Sequence, residues 1–141
     1  MKKVLLDTCV VLDVLQNRQP FAVVSKKIFE DIANKNYQGF LTAKSITDIY
    51  YLCHKTTHSD EVTRQIIGKL FCIFQVVDTT AEDCEQALVA GIHDYEDAVM
   101  TKTALRIGAD VIITRNVKDF VDVKIDVCSP EKFLEKLKNY D

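Results

Sequence analysis

Four short stretches of this sequence carry carboxylates that a folded chain could bring together. HDYEDAV (93–99) packs Asp94, Glu96 and Asp97 into four positions. VLLD (4–7) is an apolar run that ends in Asp7. SITDIYYL (45–52) sets Ser45 three residues before Asp48, and ITRNVKDF (113–120) follows Thr114 and Asn116 with Asp119. Gathered carboxylates repel one another and raise each other's pKa unless a cation neutralises them. A hard divalent cation suits the task. Mg²⁺ or Mn²⁺ prefers carboxylate and water oxygens, and Mg²⁺ also engages substrate phosphates. The histidines offer no rival centre: His54 and His58 are four apart, with neither a third ligand nearby nor the glutamate of an H-E-x-x-H motif.

Each acid also has a purely structural explanation. Asp7 or Thr8 could cap a helix beginning near Cys9. Ser45 and Asp48 have the spacing of a capping box, Ser45 as cap and Asp48 reaching back. Asp94 suits an N-cap, with Glu96 and Asp97 favoured in the first turn by the helix dipole. Thr114 and Asn116 could serve a turn, and Asp119 could cap a short helix or sit in solvent. Asp97 differs from the others. It heads a face of small residues, Thr101, Ala104 and Gly108, that lets its helix lie close to a sheet. There it would point along the carboxyl edge of the sheet, where a capping acid has no need to be.

The elements that must position these acids alternate. Strands are expected at 4–7, 39–43, 74–77, 109–114 and 124–128. Helices are expected over 9–16, from Pro20 through the stripe of Phe21, Val24, Ile28 and Ile32, from Ser45 onward, and over 60–72, 80–91 and 95–107, with a last one opening at Pro130. Gly108 stops the helix over 95–107. This alternation predicts an α/β fold, a three-layer α/β/α sandwich with a mainly parallel central sheet, in one domain over 1–141. Such sheets carry their sites outside the carboxyl ends of their strands, where these acids fall.

The 141 residues carry a net charge of −3, so the domain has no basic footprint of the usual nucleic-acid kind. Five cysteines, odd in number and without a C-x-x-C pair, read as buried free thiols in a reducing, cytoplasmic setting. The apolar run at the N-terminus is broken by Asp7 and Asp13. It makes a poor signal peptide, and no run is long enough to span a membrane.

Taken together, LLDTCVVLDVL (5–15), SITDIYYL, DYEDAV (94–99) and ITRNVKDF resemble, in order and spacing, the motifs of PIN-domain proteins, which include the toxin ribonucleases of bacterial toxin–antitoxin pairs. SPEKFLEKL (129–137) is similar to the end of one branch of that family. The resemblance covers essentially the whole chain. It implies a sandwich whose acids gather Mg²⁺ or Mn²⁺ to hydrolyse RNA phosphodiester bonds, with an antitoxin protein and a second copy of the chain as partners. By motif position Asp7, Asp48, Asp97 and Asp119 become the catalytic, metal-holding set. Thr114, Asn116, Asp94, Glu96 and Ser45 stand around it, and Arg115, Lys118 and Lys44 are candidates for contacts to RNA. Cys9 stands where Asn is common, which implies the loss of a hydrogen-bonding neighbour. Asp48 stands where many relatives carry Glu, one methylene longer, and so implies contact to metal only through water.

No side-chain nucleophile is needed, in keeping with the absence of a G-x-S-x-G turn. The alternative outside enzymes is a PIN-fold module that binds RNA or protein with a degenerate site. A phosphatase of the haloacid dehalogenase type needs a second acid two residues after the first, where Cys9 stands. A phosphoacceptor receiver domain also uses strand-end acids, but it lacks the paired early acids found here.

Overall fold

The computed structural model describes residues 1–120 and 123–139. Its strands are β1 (Lys3–Leu6), β2 (Gln38–Thr42), β3 (Gln75–Val77), β4 (Val111–Ile113) and β5 (Asp126–Cys128). The helices are α1 (Thr8–Leu15), α2 (Phe21–Ala33), α3 (Ala43–Thr57), α4 (Asp60–Ile73), α5 (Ala81–Ala87), α6 (Tyr95–Ile107) and α7 (Pro130–Lys138), with a 3-10 turn at Val117–Asp119. All strand pairs are parallel and the order is β3-β2-β1-β4-β5.

β1 is the central strand, and its neighbours fix its register. Leu5 lies opposite Phe40 on one side and Ile112 on the other. The side-chain period of two then splits the strand between two cores. Val4 and Leu6 join Ile28, Ile49, Leu70 and Phe133 from α2, α3, α4 and α7. Leu5, with Phe40 and Ile112, packs under Met100 and Ala104 of α6. A strand buried on both faces must be apolar throughout, as VLL is. Each such side chain contributes about 1.5–3 kcal/mol by leaving water.

From β1 the chain runs outward to β2 and β3, then returns to place β4 on the other side of β1. The order reverses between β1 and β4, and the carboxyl ends of these two strands flank the switch point. Asp7 follows β1 and Thr114 follows β4 at this place. The Asp7 N–H still donates to Ile113 O at 2.9 Å, so the pairing runs up to the acid itself.

β4 and β5 begin two residues later than expected, at Val111 and Asp126, and two helix boundaries also depart from the sequence expectation. α3 begins at Ala43, capped by Thr42 rather than by Ser45. Thr42 ends β2 in an extended conformation, and its hydroxyl accepts from the Ser45 N–H at 3.1 Å. The expected capping box at Ser45 and Asp48 therefore does not form. The helix expected over 80–91 closes at Ala87, beyond which Leu88, Val89 and Ala90 make i→i+3 bonds. Leu88 and Val89 are 72% and 88% exposed, so no packing holds a further turn. The cysteines are free but not uniformly buried: Cys53 and Cys128 are buried, Cys9 and Cys84 partly so, and Cys72 is exposed.

Candidate active site

Asp7 is the N-cap of α1, and among the described residues its carboxylate is held by neutral donors. Oδ1 accepts from the Thr8 N–H at 2.7 Å. Oδ2 accepts from Thr114 Oγ1 at 2.7 Å and, more weakly, from Cys9 Sγ at 3.6 Å. Burial raises the Asp7 pKa, the three donors offset part of the rise, and Asp94 adds to it. Thr114 is fully buried, and its oxygen also accepts from the Asn116 N–H at 3.0 Å. It thereby ties the end of β4 to the end of β1. Cys9 thus keeps a hydrogen bond to Asp7, contrary to the loss implied by its replacing Asn. Burial, then the charge of Asp7, raises the Cys9 pKa, so it stays a thiol donor rather than a thiolate ligand.

Asp97 is placed by α6. The Asp94 carboxylate caps that helix, accepting from the Asp97 N–H at 3.0 Å. Buried Thr101 and Ala104 then seat the helix against the sheet. The hydrogen bonds of Asp97 are made by its backbone: its carbonyl accepts from Thr101 Oγ1 at 2.8 Å. Its carboxyl is pushed up to about 7, first by burial and then by Asp7, Asp94, Asp119 and Glu96, all acids. The structure thus brings Asp7, Asp94, Asp97, Glu96 and Asp119 to one edge of the sheet. Asp119 closes the 3-10 turn and is exposed, as are Asn116 and Lys118.

Asp48 has different company. Its Oδ2 lies 2.5 Å from Lys44 Nζ, one turn earlier on α3, and the same ammonium lies 3.0 Å from Glu96 Oε1. Burial pulls the Lys44 pKa down, but the bonds to Asp48 and Glu96 outweigh it and the net shift is upward. Ser45 is buried, its oxygen accepting from Thr8 Oγ1 at 3.1 Å and Thr42 Oγ1 at 3.0 Å, so it fastens α3 to the start of α1. A cleft of about 380 Å³ opens over these groups, lined by Asp7, Asp97, Asp48, Glu96, Lys44 and a rim of threonines that includes Thr8, Thr42 and Thr79.

Arg115 lies apart from this cleft. Its Nε and Nη2 fork onto Asp13 at 2.5 and 3.1 Å, and its guanidinium stacks 4.1 Å from the Phe21 ring centre. Asp13 is fully buried and also meets Arg18 at 3.8 Å. The arginine suggested for RNA is thus spent on holding the loop after β4 to α1. Its partner, Asp13, carried no sequence signal beyond interrupting an apolar run. His54 faces Asp60 at 3.2 Å, and His58 closes α3 in the left-handed region at φ 54°, so neither serves the cleft.

The donor set suits a hard cation: carboxylates and hydroxyls, with no thiolate or imidazole among them. Among the described residues no group of three His, Cys, Asp or Glu side chains is placed to hold a metal ion by itself. The acids converge on an open cleft in which water would complete a coordination shell, as Mg²⁺ prefers.

A family model described as the PIN domain matches residues 3–118. No curated protein matches the chain by sequence. Among solved structures, DNA-bound VapBC of Salmonella typhimurium superposes with a TM-score of 0.68 at 15% identity, covering 92% of this chain and 99% of that one. A toxin–antitoxin complex from Klebsiella pneumoniae gives 0.66 at 20% identity, covering 90% and 97%. The sarcin-ricin loop cleaving toxin VapC20 of Mycobacterium tuberculosis gives 0.62 at 16% identity, covering 77% and 86%. At these identities the likeness speaks for the fold.

Proposed function

Because the chain belongs to the PIN-domain family, we propose that it is a divalent-metal-dependent endoribonuclease, the toxin of a toxin–antitoxin pair. The observation that carries this reading is the unbalanced charge at the carboxyl edge. Asp97 is pushed up to about 7, first by burial and then by the acids Asp7, Asp94, Asp119 and Glu96. Catalytic groups are found where such perturbation collects in a cleft.

Asp7, Asp97 and Asp119 would hold Mg²⁺ or Mn²⁺. When bound, the ion supplies an activated water and a Lewis acid to the scissile phosphate. Thr114, Thr8 and Cys9 orient the Asp7 carboxylate, and Asp94 holds the start of α6 so that Asp97 faces the cleft. Lys44 meets a phosphate oxygen of RNA, and exposed Lys118 supplies a weaker contact. With so few cations, binding should show a shallow salt slope. An antitoxin and a second copy of the chain are the proposed protein partners, since the structural neighbours include toxin–antitoxin complexes. Among the described residues no helix is long and apolar enough to cross a membrane.

The test is cleavage of structured RNA oligonucleotides with Mg²⁺, Mn²⁺ or EDTA. Cutting is expected with either ion, none in EDTA, and little with Asp97→Asn. Cutting that persists in Asp97→Asn would refute the assignment. RNA bound but never cut would point instead to a non-catalytic PIN-fold module.

A further inference from the structure

The cleft is divided electrostatically, and α6 contributes one acid to each side, Asp97 and Glu96. On the side of β1 and β4 stand Asp7 and Asp97, with Asp94 and Asp119 near enough to act on them, and the donors that reach the Asp7 carboxylate are neutral. On the side of α3 stand Asp48 and, across from it on α6, Glu96, with one ammonium between them. Among the described residues, Lys44 is the cation that lines this cleft. Its backbone is fixed at the second position of α3, where its N–H donates to Thr79 Oγ1 at 3.4 Å, and its side chain spans the gap from α3 to α6.

We propose that the Lys44 ammonium takes the place of a second metal ion in this cleft. The chain then holds one divalent cation, at Asp7 and Asp97, and receives the RNA phosphate between that cation and a lysine. The proposal rests on the metal-nuclease reading above and adds to it the number of ions and the identity of the second positive charge.

Four physical points carry it. An ammonium 2.5 Å from Asp48 Oδ2 and 3.0 Å from Glu96 Oε1 satisfies the two acids that a second ion would need. A divalent cation bound by the same oxygens would be repelled at contact range by a charge held there covalently. The pair on α3 is also spaced four residues apart, so the helix itself keeps Asp48 beside Lys44. Finally, an ammonium has three protons to donate. Two are directed to Asp48 and Glu96, and the third remains for a phosphate oxygen, which lysine binds as a point charge.

Metal stoichiometry tests this directly. Stripped protein is titrated with Mn²⁺ at pH 8, and free ion is followed by its electron paramagnetic resonance. The wild-type chain is expected to bind one Mn²⁺. Lys44→Met frees Asp48 and Glu96 and is expected to bind two, the second more weakly. The double variant Lys44→Met with Asp48→Asn should return to one, and Lys44→Arg, which keeps the charge, should stay at one. Thermal melting of each variant shows that it is folded. Two ions in the wild type would overturn the proposal and leave the nuclease reading intact, as would a single ion in Lys44→Met. No ion in the wild type would overturn both.

Discussion

Asp83 and Asp97 occupy the same position in successive helices and meet opposite fates. Each is the third residue of its helix, behind an N-cap that accepts its N–H: Thr80 for α5 and Asp94 for α6. Asp83 completes a capping box with the Thr80 N–H at 3.1 Å. It also accepts from Thr103 Oγ1 at 2.8 Å and from Arg106 Nη2 at 3.0 Å. Burial alone would raise its pKa, but Arg106, Thr80 and Thr103 together bring it below the usual carboxylate range. Asp97, facing acids, is driven up to about 7. Helix position and dipole are shared, so neither explains the difference. What differs is whether the chain supplies a counter-charge. The two side-chain partners of Asp83, Thr103 and Arg106, come from α6, while the charges that raise Asp97 at the other end of that helix are Asp7, Asp94, Asp119 and Glu96.

The largest effect that can break this comparison is on cleavage. Asp97→Asn removes the charge and is expected to reduce RNA cleavage by about 10²–10³-fold, the scale of losing one group that stabilises transition-state charge, roughly 3–4 kcal/mol. The folded state should be unharmed, because the lost charge was unbalanced. Next is Asp83→Ala, which removes the carboxylate shared by Arg106 and Thr103 and leaves them only the backbone carbonyls of Asp78 and Val99. Breaking a buried pair costs about 3–5 kcal/mol, and partial exposure of Arg106 lowers this to roughly 2–3 kcal/mol. Chemical denaturation measures it. Mn²⁺ bound per folded chain should be unchanged, and a loss of metal binding equal to that of Asp97→Asn would erase the distinction between the two acids.

The same contrast governs what the sequence revealed. The layers were legible because period-two and helical patterns are local, and α6 runs over 95–107 as its spacing predicts. The N-cap role of Asp94 was legible for the same reason. The capping of α3 was not, because Thr42–Ser45 and Ser45–Asp48 share one spacing. The choice between them depends on β2 ending extended at Thr42, a consequence of sheet pairing. The pairing of Arg115 was not legible because Asp13 lies 102 residues away, and Lys44 was legible as a basic group near the site but not as a bridge, since Glu96 comes from another helix. Asp83 gave no signal because its arginine lies 23 residues on. Acids show themselves in sequence; the cations that silence some of them do so only in three dimensions.

The smallest predicted effect is the one that separates the two acids by pH alone. The folded Asp97 carboxyl titrates at about 7 and the unfolded one near 3.8, so without metal the folded chain holds the extra proton between these values. Stability then falls as pH rises from about 4 to 7 and levels beyond, because the state that binds more protons is favoured at low pH. A shift of this size is worth roughly 4 kcal/mol in full, and about 1–2 kcal/mol once solvent screening of a half-exposed group is allowed for. Asp83 runs the other way. Its lowered pKa contributes stability that is complete above about 4 and is lost only as pH falls further, so it is silent across the range in which Asp97 titrates. In EDTA, the melting temperature of the wild type should therefore drop between pH 5.5 and 8 by a few degrees more than that of Asp97→Asn. Asp7, raised in the same direction, accounts for a remainder in the variant. Mn²⁺ should cancel the drop, since the ion binds the deprotonated carboxylate and its apparent affinity rises about tenfold per pH unit until pH 7. An identical pH profile in wild type and Asp97→Asn would mean that the carboxyl edge carries no stored repulsion for a cation to relieve.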